Sequence, residues 1–139
     1  MEMILIADHD LGFVFWLGAA LSEAGYSVLP AQNVRRAKRF ARQIDFSLVI
    51  ANPSLLGIAD FVEPLRREQP QLKLIAAIES PGAGTGDLLG VDGILSKAEP
   101  ANEATKQLWV EQVAALTGNA AFRSATNGRP APLSRRFSA

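Results

Sequence analysis

Asp8-His9-Asp10 brings two carboxylates and the chain's one histidine together, directly after the apolar run Met3 to Ala7. His9 is a candidate metal ligand or pH sensor, since imidazole changes charge near neutrality. A lone histidine in a turn is more often neither. Asn52 ends a second apolar run, Phe46-Ser47-Leu48-Val49-Ile50-Ala51, and Pro53 then breaks it. Ligands and chemistry gather at the carboxyl ends of strands in open α/β sheets, so Asn52 stands where a reactive group belongs. An amide there is a poor nucleophile. Gly82-Ala83-Gly84-Thr85-Gly86 follows a strand, yet lacks the Gly-Lys-Ser/Thr ending of a phosphate loop. A flexible loop is the plainer reading, and slow amide exchange across residues 80–90 would count against it.

The remaining chemistry is charge. Arg35, Arg36, Lys38, Arg39 and Arg42 crowd one stretch without an acid. They are a possible partner surface for nucleic acid or an acidic protein face, set against a solvated helix face. No aromatic or further basic support lies nearby, so nucleic acid is the weaker option. The chain is neutral overall, but all fourteen acids lie between Glu2 and Glu111. Arg123, Arg129, Arg135 and Arg136 close the chain with no acid among them. The absence of cysteine excludes a disulfide framework, thiol catalysis and a cysteine zinc site. One histidine makes a His-rich metal site implausible. With no nucleophile–base pair and no metal constellation, no enzyme and no cofactor are expected. No apolar run approaches the ~18 residues of a membrane span, and Met1-Glu2-Met3-Ile4 is no signal peptide, so a cytoplasmic protein is expected.

Positioning these residues requires alternating strands and helices. Met3–Ala7 reads as a strand, and Leu11 to Ala24 as a helix through Leu11, Val14, Phe15, Leu17, Ala20, Leu21 and Ala24. Gly25 suits the position after its end. Tyr26 to Leu29 is a second strand closed by Pro30. Asn33 caps a helix from Val34 to Ile44 that buries Val34, Ala37, Phe40, Ala41 and Ile44. Phe46–Ala51 is the third strand. A helix from about Ala59 to Gln69, a strand from Leu72 to Ile78 and a strand near Gly93 to Ser96 follow. Only about one helical turn fits between the last two strands. Pro100 suits the first turn of a last helix, Ala101 to Leu116, burying Ala104, Leu108, Val113 and Leu116. Trp16 and Trp109 are expected in core or edge packing, although an exposed Trp109 would be a partner contact. This order predicts one parallel sheet with helices on both faces over residues 1–117. Residues 118–139 read as a flexible basic tail.

Taken together, the chain resembles a response-regulator receiver domain of two-component signalling, over about Met3 to Leu116. Ile4-Leu5-Ile6-Ala7-Asp8-His9-Asp10 resembles the first strand and its acidic cluster. Gly25-Tyr26-Ser27-Val28 resembles the approach to the second strand. Phe46 to Asn52 resembles the strand that presents the phosphoacceptor. Gly90-Val91-Asp92-Gly93-Ile94-Leu95-Ser96-Lys97 resembles the segment ending in the family's lysine. The resemblance implies a flavodoxin-like, doubly wound sheet of order 2-1-3-4-5 with its fourth helix shortened.

It also implies roles for single positions. Asp8 retains the first acidic position, while His9 departs from the second. Asn52 falls on the phosphoacceptor position, where the family has Asp. Ala77 falls on the switch Ser/Thr and Lys97 on the retained lysine. Ala98 replaces the proline that normally follows. An amide cannot form the acyl phosphate, and two lost carboxylates should weaken Mg²⁺ binding greatly. Asp8 and Lys97 can still pair across the strand ends. The expectation is a stand-alone pseudo-receiver that acts through signalling partner proteins as a monomer or homodimer. A small-ligand or nucleotide domain using the crevice and Gly-rich loop is one alternative, and a nucleic-acid module using the basic helix and tail is another. An aspartate restored at position 52 should give a partial response, limited by His9 and Ala77.

Overall fold

The computed structural model describes residues 2–97 and 102–118. Five strands alternate with helices: β1 Met3–Ala7, α1 Leu11–Glu23, β2 Ser27–Ala31, α2 Val34–Ala41, β3 Leu48–Ala51, α3 Ile58–Glu68, β4 Lys73–Ile78, β5 Gly93–Ser96 and α4 Glu103–Thr117. All strand pairs are parallel, and the sheet order is β2-β1-β3-β4-β5. The architecture is thus the doubly wound one expected from the element order.

Strand alternation divides the core into two halves, because successive side chains leave opposite faces of the sheet. Leu5, Ala7, Val49, Ala51, Leu74 and Ala76 face the cluster that includes Ala37 of α2 and Phe61, Val62 and Leu65 of α3. Ile4, Ile6, Leu48, Ile50, Ile75 and Ala77 face the cluster of Val14, Leu17 and Leu21 from α1 and Trp109, Val110 and Val113 from α4. Burial on both faces explains why β1, β3 and β4 are apolar throughout their buried length.

Local chemistry sets the element ends. The Asp10 side chain accepts the Phe13 N–H at the start of α1, Asn33 accepts Arg36 N–H for α2, and Asn102 accepts Thr105 N–H for α4. Gly25 and Gly118 have positive φ just past α1 and α4, where an L side chain would be strained.

Several expectations need correction. Pro30 lies within β2 and does not close it. β2 is an edge strand, where a missing N–H leaves no ladder bond unmade on the open side. α2 ends at Ala41, so Ile44 packs from the segment beyond it. Phe15 is 65% exposed, and Phe13 and Trp16 turn inward in its place. In α4 the buried set is Thr105, Trp109, Val110, Val113 and Ala114, while Leu108 is half exposed. The connection between β4 and β5 carries less structure than expected: residues 79–92 form turns and no helix. Pro100, Ala98 and the proposed tail from residue 119 lie outside the described residues.

Candidate functional site

The sheet register carries the site. Ala7, Ala51 and Ala76 lie in one row across β1, β3 and β4. Asp8, Asn52 and Ala77 therefore follow in the next row, at or just past the carboxyl ends. The ladder continues there, with Asp8 N–H bound to Ala31 O and Asn52 N–H bound to Ala7 O, both at 3.0 Å. Asp8 and Asn52 are fully buried. Ala77 is also fully buried, packed in the apolar cluster beneath them, and contributes no polar side-chain atom.

Lys97 follows β5 and reaches over these ends. Its Nζ donates to Asp8 Oδ2 at 2.8 Å, and lies 3.5 Å from Asp10 Oδ2 and 3.5 Å from Glu79 Oε2. It also sits 4.8 Å from the Phe13 ring centroid, a cation–π arrangement. Phe13 meets Trp109 edge to face at 5.3 Å. Trp109 is only 1% exposed. It is therefore withdrawn from the possible partner surface: its indole supports the floor of the site.

Asn52 uses its whole amide. Its Oδ1 accepts Ser54 N–H at 2.9 Å and Ser54 O–H at 2.8 Å. Its Nδ2 donates to Glu79 Oε2 at 2.6 Å and, more weakly, to Asp8 Oδ1 at 3.4 Å. Asp8 Oδ1 also accepts the Asp10 N–H at 2.9 Å. A primary amide has two donors and one carbonyl acceptor, and all are engaged.

Glu79 is the residue that sequence reading passed over. The signal was present. Glu79 stands two residues after Ala77, and period-two alternation returns it to the same face. Ser54 and Phe13 were missed as well.

The other candidates are dispersed. His9 is 58% exposed on its side chain, with Nδ1 3.9 Å from Asp8 Oδ1. Arg35, Arg36, Lys38, Arg39 and Arg42 lie on and just after α2 and make no ion pair among the described residues. The expected basic face is thus real as a surface and separate from the strand-end site.

The magnesium implied by the receiver resemblance does not fit these residues. Both oxygens of Asp8 are taken by N–H donors. Asn52 turns its NH₂ toward the carboxylates and its carbonyl toward Ser54. Among the described residues no group of three His, Cys, Asp or Glu side chains is placed to hold a metal. The positive charge beside these carboxylates comes from the Lys97 ammonium.

Charge tuning follows from this geometry. The Phe13 N–H on Asp10 holds that carboxyl below its ordinary value, helped by nearby Lys97 and opposed by partial desolvation. For Lys97, burial pushes the ammonium down, but the hydrogen bond and charge of Asp8, then Glu79 and Asp10, outweigh it. The net shift is upward from 10.5. A raised base contributes stability that is complete below its unfolded value and is lost as pH rises through its folded value. The urea midpoint difference between wild type and Lys97→Met should therefore hold to about pH 10 and shrink above it. A difference constant far into alkali would contradict the pairing.

A groove of ≈ 600 Å³ lies between α3 and the connection that follows β4, lined by Val62, Glu63, Arg66, Asp87, Leu88 and Leu89 among others. Arg66 ties its wall, donating to Gly90 O at 2.7 Å and Asp92 Oδ2 at 3.0 Å.

No protein-family model matches the chain, and no curated protein does. Solved structures do. The chemotaxis response regulator CheY4 of Vibrio cholerae is 20% identical with a TM-score of 0.65, covering 81% of this chain and 98% of its own. The non-phosphorylated HemR receiver domain of Leptospira biflexa is 20% identical with a TM-score of 0.68, covering 84% and 94%. The response regulator TrrA of Thermotoga maritima, solved with Mg²⁺ and BeF, is 23% identical with a TM-score of 0.67, covering 84% and 99%. The chain has the flavodoxin-like receiver fold of two-component response regulators.

Proposed function

We propose that this receiver-fold chain is a pseudo-receiver: a cytoplasmic signalling adaptor of a two-component or phosphorelay system that docks on partner proteins and is not phosphorylated at the usual position. The observation that supports it most is the Asn52 amide bound to Glu79 at 2.6 Å, where a receiver presents a reactive carboxylate. Acyl phosphate formation needs a carboxylate oxygen free to attack, and Asn52 offers a carbonyl already held by Ser54. Asp8, the retained acidic position, has both oxygens engaged by N–H donors and is not free to hold an assisting cation. On this reading the chain works by contact and not by catalysis.

Two surfaces suit partner contact. One is the basic face of α2 with Arg42. The other is the connection after β4, where Leu89 is 79% exposed. None of the described helices is long and apolar enough to cross a membrane.

Incubation of the full chain with acetyl phosphate and Mg²⁺, followed by intact-mass measurement, tests this reading. The expected result is no phosphoryl adduct, and no change in thermal midpoint with beryllofluoride. A phosphoryl group recovered on a residue of the crevice would overturn it.

A further inference from the structure

We propose that Asn52 and Glu79 form a clasp that fixes residues 79–89 over the strand ends and so sets the shape of the groove beside α3. This rests on the pseudo-receiver reading, because a crevice used for phosphoryl transfer would need these same atoms free.

Between Glu79 and Gly86 the connection after β4 has few other ties. A Cβ at Gly82 would meet nothing within 4 Å, and the same holds at Gly84. Ala83 N–H bonds only locally, to Ser80 O at 3.0 Å, and Leu88 N–H to Thr85 O at 3.0 Å. Contact with the body of the fold comes at four places, the last of them Val91, packed on the core, and Asp92, whose N–H bonds to Leu74 O at 2.8 Å and whose carboxylate accepts from Leu74 N–H and Arg66. Glu79 meets Asn52 and Lys97 at the start. Gly86 backbone approaches Pro53, such that a Cβ there would lie 3.6 Å from Pro53 Cβ. Leu88 is buried, and Gly90 O is held by Arg66. The two ties in the first half of the connection, Glu79 and the close approach of Gly86, land on the Asn52-Pro53 turn. Residues 87–89 at the far end line the groove.

The clasp is a matched pair. Asn52 is the side chain that can donate to Glu79 and accept from Ser54 in one place. A carboxylate at 52 would repel Glu79, and an apolar residue would release it. The Glu79 side chain is half exposed, so these bonds are what keep its carboxylate turned in. With them, the absent crossover helix is replaced by a connection of one preferred shape, which is what an adaptor surface needs if it cannot be switched.

Amide exchange on the full chain tests the proposal, read at Ala83 and Leu88 with Asp92, bound to Leu74 O, as the control. Glu79→Ala should speed exchange at Ala83 and Leu88 on the order of tenfold, as expected for losing a hydrogen bond to a charged group. The Asp92 amide should not change. Glu79→Gln keeps an acceptor for Asn52 and should stay near wild type. Asn52→Ala should match Glu79→Ala, and the double variant should be no faster than either. Unchanged exchange in Glu79→Ala, Glu79→Gln as fast as Glu79→Ala, or additive effects in the double variant would each overturn the clasp. Those failures would leave the phosphoryl test untouched, while a phosphoryl adduct would sink the pseudo-receiver reading whatever the exchange shows.

Discussion

Lys97→Met is expected to destabilise the domain by about 3–5 kcal/mol, the range for removing one partner of a buried ion pair. Asp8 is fully buried and its Oδ2 meets Lys97 Nζ at 2.8 Å. Without the ammonium, Asp8 keeps an N–H from Asp10 and a long bond from Asn52. It also faces Glu79 and Asp10 with no lysine between them. Urea unfolding at neutral pH reads this directly. The companion Asp8→Asn/Lys97→Met removes both charges and should recover a large part of the loss, since the penalty is mainly the orphaned carboxylate. Equal losses in the single and double variants would show that the bulk of the lysine side chain matters and the charge does not.

Asn52→Asp is expected to lower stability by about 3 kcal/mol, in a domain whose total is of the order of 5–15 kcal/mol. The sequence alone points only to a partial phosphoryl response from this variant and carries no expectation for its stability. The geometry supplies the cost. The substitution would set a carboxylate against Glu79 Oε2, now 2.6 Å from the amide nitrogen, and against Asp8 Oδ1 at 3.4 Å. Two donated bonds would become two repulsions in a fully buried position. One lysine cannot neutralise Asp8, Glu79 and a third carboxylate at position 52 together. Asn52→Asp/Glu79→Gln should recover most of the loss, because glutamine donates where glutamate repels. Asn52→Asp as stable as wild type in urea would contradict this account. The same crowding adds a third obstacle, beside His9 and Ala77, to any phosphoryl uptake by the single variant.

Legibility varied with how polar the neighbouring residues were. α2 was readable because its cations fall on one face and leave Ala37 inside. α1 was readable as a helix but not in its rotation. Its sequence, Leu-Gly-Phe-Val-Phe-Trp-Leu-Gly-Ala-Ala-Leu-Ser-Glu, is apolar nearly all round and offers no polar face to mark the outside. Phe15 was therefore placed inside and Phe13 overlooked, although Phe13 supports Lys97. α4 was legible in part: Val113 and Trp109 are buried as expected, while Leu108, next to Trp109, is half exposed because the tryptophan packs against Phe13.

By itself the sequence determined the succession of strands and helices, the parallel sheet and the amide at position 52. Each depends on local periodicity or on one residue's chemistry. Strands buried on both faces must be continuously apolar, and that pattern survives in one dimension. Only the tertiary structure decided what the amide does. Its partners are Ser54, two residues away, and Glu79 and Asp8, 27 and 44 residues distant. Sheet register brings those ends level, and no local signal encodes register between strands so far apart in the chain.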